Sequence, residues 1–181
     1  MCPAPKGKKR CRLEKCVRLP GLNKMDKNYV VREATKDEWE EAMALAWKTF
    51  KKFVAPDYSD TGVKEFCNFI SDNGIYKMFL MGEYKLWVAE LDGDIAGMIS
   101  VRSGKHISLL FVGEKYQRLG IGRDLINTAA DYMRQKGENY ATVNASPYGV
   151  PFYHAVGFTD TGAERMDSGM LITPMKLDIK K

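Results

Sequence analysis

In this 181-residue chain, the stretch Gln117-Arg118-Leu119-Gly120-Ile121-Gly122-Arg123 has the residue types and spacing to hold an anion. Ile107-Ser108-Leu109-Leu110-Phe111-Val112 precedes it, an apolar and β-branched run that reads as a buried strand. After it, Ile121, Leu125, Thr128, Ala129, Tyr132 and Met133 recur at helical spacing as far as Lys136-Gly137, and Gly137 is placed as a C-terminal stop. The glycines therefore fall where a strand gives way to a helix. The first N–H groups of a helix have no partner within it, and the helix dipole adds positive potential there. Gly120 and Gly122 would let the backbone approach a bulky phosphate with no Cβ in the way. Taken alone, a Gly-x-Gly pair is equally a tight structural turn.

No Gly-Lys-Ser/Thr follows, so this is not a Walker loop, and the third glycine of the dinucleotide fingerprint is missing. The pattern that fits is Gln/Arg-x-x-Gly-x-Gly/Ala. The run from Leu109 to Gly122 resembles the acetyl-CoA signature of the GNAT superfamily of N-acetyltransferases. A second block, Val143-Asn144 followed by Phe152-Tyr153-His154-Ala155-Val156-Gly157-Phe158, is similar to that family's Asn…Phe-Tyr-x-x-x-Gly-Phe. Two motifs in the right order and spacing say more than either alone.

The resemblance spans about residues 28–178 and implies acetyl transfer from acetyl-CoA, as co-substrate, directly to a primary amine in a ternary complex. It implies that Gln117, Arg118, Leu119, Gly120, Ile121, Gly122 and Arg123 hold the pyrophosphate, largely through main-chain N–H groups. Leu110, Phe111 and Val112 would present backbone groups to the pantetheine arm, one N–H facing the thioester oxygen as it gains charge. Asn144 and Phe152 complete the implied cofactor site, and Tyr153 is the implied acid for the leaving thiolate. A phenol with a pKa of ~10 is protonated at neutral pH and so starts in the right state. Read as residues only, Asn144 is also a strand-ending turn residue and Tyr153 a core tyrosine beside Phe158. An amine with a pKa of ~10.4 must lose a proton before attack. His106 is a minor candidate, His154 reads as a surface residue, and Asp57, Glu65 and Glu90 cannot be ranked, so no base is assigned.

The elements that must position these groups follow in order. Tyr29 to Arg32 reads as a strand. Thr35 and Glu38 form a capping box for a helix burying Trp39, Ala42, Met43, Ala46, Trp47 and Phe50. Ala55-Pro56-Asp57-Tyr58-Ser59-Asp60 breaks that helix. A second carries Val63, Phe66, Cys67 and Ile70 on its apolar face, with Cys67 as a small core residue, and ends at Asn73-Gly74. In the family this helix–loop–helix walls the acceptor site, which makes Asp57 and Tyr58 candidates to touch the amine; a turn with a solvated Asp and a packed Tyr is the alternative. Lys85–Glu90 and Ile95–Val101 pair across an Asp92-Gly93 hairpin. Tyr140–Asn144, a short helix Val150–Val156 opened by Pro151, and two closing strands, Thr159–Met166 and Met170–Leu177, complete the chain. The expected fold is α+β, layered α/β/α, around a mixed, mostly antiparallel sheet. The resemblance adds a splay between its two central strands.

Composition is that of a globular domain, with 45% hydrophobic and 28% charged residues. No apolar run approaches the ~20 residues a membrane helix needs, and no secretory signal opens the chain. A cytoplasmic protein without membrane association is the expectation. Residues 1–27 hold nine Lys/Arg against Glu14 and Asp26, a net of +7 that exceeds the total of +5, so the rest is slightly acidic. This basic, cysteine-containing head reads as a flexible extension ahead of an acetyltransferase domain at 28–181. Met25 is an alternative start. A nucleic-acid arm is disfavoured, since the head lacks interleaved aromatics. Cys2, Cys11 and Cys16 lack a fourth ligand, so no metal is expected. The expected acceptor is a small-molecule amine in preference to a protein, and a homodimer is compatible with the sequence. An acyl-CoA-binding sensor or interaction module without turnover is the competing reading.

Overall fold

The computed structural model describes residues 28–180; the basic head, its three cysteines and Met25 lie outside the described residues. Eight strands and five helices are described: β1 (Tyr29–Glu33), α1 (Trp39–Phe53), α2 (Asp60–Ile70), α3 (Asn73–Leu80), β2 (Lys85–Leu91), β3 (Asp94–Arg102), β4 (His106–Val112), α4 (Ile121–Gln135), β5 (Tyr140–Ala145), α5 (Val150–Ala155), β6 (Thr159–Asp160), β7 (Arg165–Asp167) and β8 (Met170–Asp178). The sheet runs β1-β2-β3-β4-β5-β8-β6, with β7 also on β8. Every pairing is antiparallel except β4 with β5. The fold is thus the expected α+β arrangement.

Alternation along the central strands divides the core in two. Leu86, Val88 and Met98 face α1 and α2, where Trp39, Met43 and Phe50 of the first and Phe66 of the second cover them. Trp87, Ala89 and Ile99 face α4, against Ile121, Leu125, Ala129 and Met133. Each strand between the layers is held from both sides. The turns carry their expected chemistry: Asp92 and Gly93 have φ of 54° and 88°, as a two-residue hairpin requires. At the start of α1, the Glu38 carboxylate accepts from Thr35 N at 2.7 Å and Thr35 Oγ1 at 3.0 Å. Arg32 also donates to Glu38, at 2.6 Å, and to Glu90, at 2.7 Å, joining β1, β2 and the helix start. Arg32's hydrogen bonding holds the Glu38 carboxyl at about 2.

The register shows where regularity gives way. Ser100 pairs with Leu109 and Val101 with Ile107, so Ser108 bulges out of β4 with no counterpart on β3. On its other edge β4 meets β5 only at His106↔Thr142 and Ile107↔Val143. Beyond Ile107 the two strands part, and this is the splay.

Four sequence expectations are corrected. A third helix, α3, follows directly on α2, because Asp72 caps it, accepting from Gly74 N and from Ile75 N at 3.1 Å; Asn73-Gly74 opens a helix there. Cys67 is exposed. It lies ~100° round from Phe66 on a helix of 3.6 residues per turn, and Phe66 is the buried position. Trp47 is partly exposed, and Thr49 takes a place in the buried face. The first closing strand is interrupted between Asp160 and Arg165. It leaves the ladder opposite Pro174 of β8, which has no N–H to give.

The β7–β8 turn is tied to the start of α2. Ser59 N and Oγ donate to the Gly169 carbonyl at 3.2 and 3.0 Å. A Cβ on Gly62 would lie 2.2 Å from that same oxygen. Gly62→Ala is therefore expected to lower stability by about 1–3 kcal/mol through overpacking. An unfolding curve in urea would show this as a lower midpoint at unchanged slope, and an unchanged midpoint would mean the two segments do not meet this closely.

Candidate active site

Where β4 and β5 part, a groove of about 1060 Å³ opens between them. β4 and β5 form its floor, the loop ahead of α4 one end, and α1, α2, α5 and the β7–β8 hairpin its sides. At the loop, Arg118 takes a left-handed φ of 66° and Gly120 one of 85°. Such alternation turns successive N–H groups to one side, as in anion-binding nests. The loop is held from beneath: Tyr29 Oη donates to Asp124 Oδ2 at 2.8 Å and approaches the Leu119 carbonyl at 3.5 Å. Gln117 Nε2 donates to the Val112 carbonyl at 3.3 Å.

The two glycines serve different ends. Gly120 is needed for its φ, since a Cβ there would have room, with nothing nearer than Tyr29 Oη at 3.7 Å. A Cβ on Gly122 would fall 3.0 Å from Phe152 Cζ. Gly122 thus lets α5 pack against the start of α4, a pairing of the two sequence motifs that spacing could not reveal.

Tyr153 is buried, with its ring edge-on to Phe152 and Phe158. Burial, with Tyr58 adding to it, raises the Tyr153 phenol above its ordinary range. Tyr58 sits edge-on to Phe50, and burial followed by Asp57 pushes it up to about 12. The His106 imidazole is pushed down to about 4, first by burial and then by Arg102, while Nδ1 meets Thr142 Oγ1 at 2.9 Å. His106 on the floor and Tyr58 and Tyr153 on the sides are therefore neutral at physiological pH.

Of the residues singled out in the sequence, Leu110, Phe111, Val112, Gln117, Arg118, Gly120, Ile121, Gly122, Arg123, Asn144, Phe152, Tyr153 and Tyr58 line this one groove. Leu119 points outward, 52% exposed, and Asp57 is exposed beside the groove without lining it. Among the three unranked carboxylates Glu65 borders the groove, whereas Glu90 is engaged by Arg32. His154 is on the surface against Asp160. Sequence reasoning missed Ser108, Arg102 and Asp167, which also border the groove, and Tyr29 beneath the loop. The first three come from a bulge, a strand end and a hairpin that no local pattern marks. Among the described residues, no group of three or more His, Cys, Asp or Glu could hold a metal ion, and no helix is long and apolar enough to cross a membrane.

Residues 54–179, well over half the chain, match the acetyltransferase (GNAT) domain. The chain belongs to the GNAT acetyltransferase family. A curated relative, "Probable N-acetyltransferase camello" of Xenopus tropicalis, is 30% identical over 104 residues, 52% of this chain. The matched segment is 48% of that protein, so the chain spans about half the length of this relative. A GCN5-related N-acetyltransferase of Rhodopseudomonas palustris superposes with a TM-score of 0.72 at 21% identity, covering 87% of this chain and 99% of that one. The PaiA N-acetyltransferase of Thermoplasma acidophilum, solved with coenzyme A, gives 0.68 at 19% identity, covering 83% and 98%. YncA of Salmonella typhimurium, solved with acetyl-CoA, gives 0.61 at 19%, covering 85% and 95%. At these identities the likeness is one of fold, and the GNAT arrangement of the sheet is what it establishes.

The neutral His106 of this GNAT domain has a consequence for acid stability. An unfolded histidine takes a proton near pH 6.5, whereas folded His106 resists until about pH 4. Between those values the unfolded chain binds more protons, so this contribution is complete above pH ~6.5 and lost as pH falls towards 4. His106→Gln is expected to flatten the dependence of the urea midpoint on pH across that window. An unchanged slope would show that the ring titrates normally.

Proposed function

We propose that this GNAT domain moves an acetyl group from acetyl-CoA to a primary amine by direct attack in a ternary complex, with a small-molecule amine preferred over a protein. The observation that carries the reading is the convergence of the nest-like loop, the unpaired half of β4 and buried Tyr153 on one groove. The site's residues suit such a donor. N–H groups at the α4 start, with Arg118 and Arg123 beside them, suit a pyrophosphate, and a strand edge without a partner suits an amide-bearing arm. Acetyl-CoA supplies an acyl carbon activated as a thioester.

The chain's own part is to hold, orient and protonate. Leu110, Phe111 and Val112 lie past the last β4–β5 pair, so the backbone groups this segment turns to that edge, apart from the Val112 carbonyl held by Gln117, are available to the arm and to an oxygen that gains charge. Asn144, at the equivalent place on β5, faces them across the groove and offers an amide to the same arm. Tyr153 remains a phenol at every physiological pH. Because burial makes it a weaker acid than free tyrosine, its role is to hydrogen-bond the leaving sulfur as charge builds, and to release the proton only then.

The acceptor side is apolar and aromatic, with Phe50, Phe66 and Tyr58, and carries the Glu65 and Asp167 carboxylates at its edge. This combination attracts a cation from solvent and then favours its neutral form, since desolvation lowers an amine's pKa.

The test is thiol release from acetyl-CoA across polyamines, aminoglycosides, amino acids and peptides. Saturable release with intersecting initial-rate lines is expected for at least one amine. Tyr153→Phe should then lower kcat by about 10²-fold while keeping the rise in Tm that acetyl-CoA produces. A Phe variant with undiminished kcat would remove Tyr153 from the chemistry, and release that never depends on an amine would refute the reading.

A further inference from the structure

Ser108 Oγ is the one buried side-chain nitrogen or oxygen among the described residues that lacks a hydrogen-bond partner. A buried hydroxyl left unsatisfied is destabilising, so its persistence calls for a reason. Its position supplies one. Ser108 is the residue that bulges from β4, without a counterpart on β3, and it is the first residue past the last β4–β5 pair. It therefore stands unpaired on both edges at the point where the sheet opens, and it borders the groove.

Its immediate neighbours are polar, and the Arg102 charge at the groove margin acts on both Tyr84 and His106. Buried Tyr84 lies beside it, bonded through its hydroxyl to Ser100 Oγ at 2.6 Å; the Ser108 hydroxyl also acts on that phenol, but without the geometry of a full hydrogen bond. His106, two residues earlier, has Nδ1 against Thr142 and also borders the groove. β4 itself carries no carboxylate. The residue as a whole is only partly buried, and Oγ makes no well-formed hydrogen bond, only a weak contact with the Tyr84 hydroxyl, so a change of χ1 between staggered wells towards the groove would cost little.

We infer that Ser108 Oγ is the seat of the acceptor nitrogen: it accepts a hydrogen bond from one N–H of the incoming amine and leaves the nitrogen lone pair free to face the acyl carbon. This assignment rests on the acetyl-transfer reading above and names the residue that positions the nucleophile. An uncharged acceptor suits the task. A hydroxyl holds the free amine, whereas a carboxylate at the same place would favour the ammonium form, which has no lone pair. The bulge is the device that brings the side chain to the opening, as bulges commonly re-aim side chains next to active sites.

Steady-state kinetics and thermal unfolding of Ser108→Ala test this together. The expected result is a fall of about tenfold in kcat/KM for the amine, at unchanged KM for acetyl-CoA, with a Tm equal to or above that of the parent chain. Loss of activity with rising or constant Tm is a combination that a merely structural hydroxyl does not give. Ser108→Thr, which keeps the hydroxyl on a strand-favouring residue, is expected to recover part of the acceptor efficiency. Wild-type acceptor kinetics in Ser108→Ala, or a lowered Tm with both substrates affected alike, would overturn the assignment alone. A parent chain that releases no thiol with any amine would overturn the acetyl-transfer reading and this assignment with it.

Discussion

Only two residue pairs join β4 to β5, and the site depends on how soon that pairing stops. A fully zipped parallel pair would commit the backbone groups that the Leu110–Val112 segment turns to that edge to β5 and leave no groove. The strands can afford to part because neither relies on the other for its place. β4 is fixed by β3 along its length and by α1 over one face, while β5 is fixed by six residue pairs to β8. Each half of the sheet is thus stable up to the edge of the gap. Across the top, Phe53 of α1 stacks on Tyr148 of the loop after β5, with ring centroids 5.0 Å apart, and the start of α2 meets the β7–β8 turn at Gly169, so the halves touch again beyond the gap.

Charge is distributed around that gap in a way that suits its chemistry. On the floor and walls, His106, Tyr58 and Tyr153 are all held neutral, chiefly by burial. The charged side chains that border the groove, Arg118 on the loop, Arg123 in the first turn of α4, Arg102 at the end of β3, Glu65 and Asp167 on the side walls, are all exposed. Buried charges would have to be desolvated and paired, and that would fill the groove with ion pairs. A neutral interior with charged margins avoids this cost and leaves hydrogen-bonding groups free.

The sequence made much of this legible, for identifiable reasons. The strand–loop–helix around Gly120 carries apolar periodicity on both sides, and a residue of positive φ in such a junction favours glycine, so the local pattern and the structure coincide. Asp92-Gly93 and Gly137 were readable on the same ground. What could not be read depends on long-range register. Ser108 looks like one polar residue in an apolar strand, and only its pairing shows it as a bulge. Gly122 is a helix residue whose need for glycine comes from Phe152, thirty positions later. Asp167 reaches the groove because the β7–β8 hairpin rests on α2 through Gly169 and Ser59. α3 is a different case, since the Asp72 cap and the apolar spacing of Ile75, Met78 and Phe79 are local signals, and Gly74, which resembles a helix stop, sits in the first turn of the next helix.

The measurement that bears most directly on the open β4–β5 gap is residue-resolved amide hydrogen exchange with and without acetyl-CoA. If the unpaired half of β4 and the loop ahead of α4 receive the donor, added protection is expected at Leu110–Val112 and Gly120–Arg123, and little across β1 and β2. Protection confined to other segments, or none at saturating acetyl-CoA, would contradict the claim that this gap is the donor site.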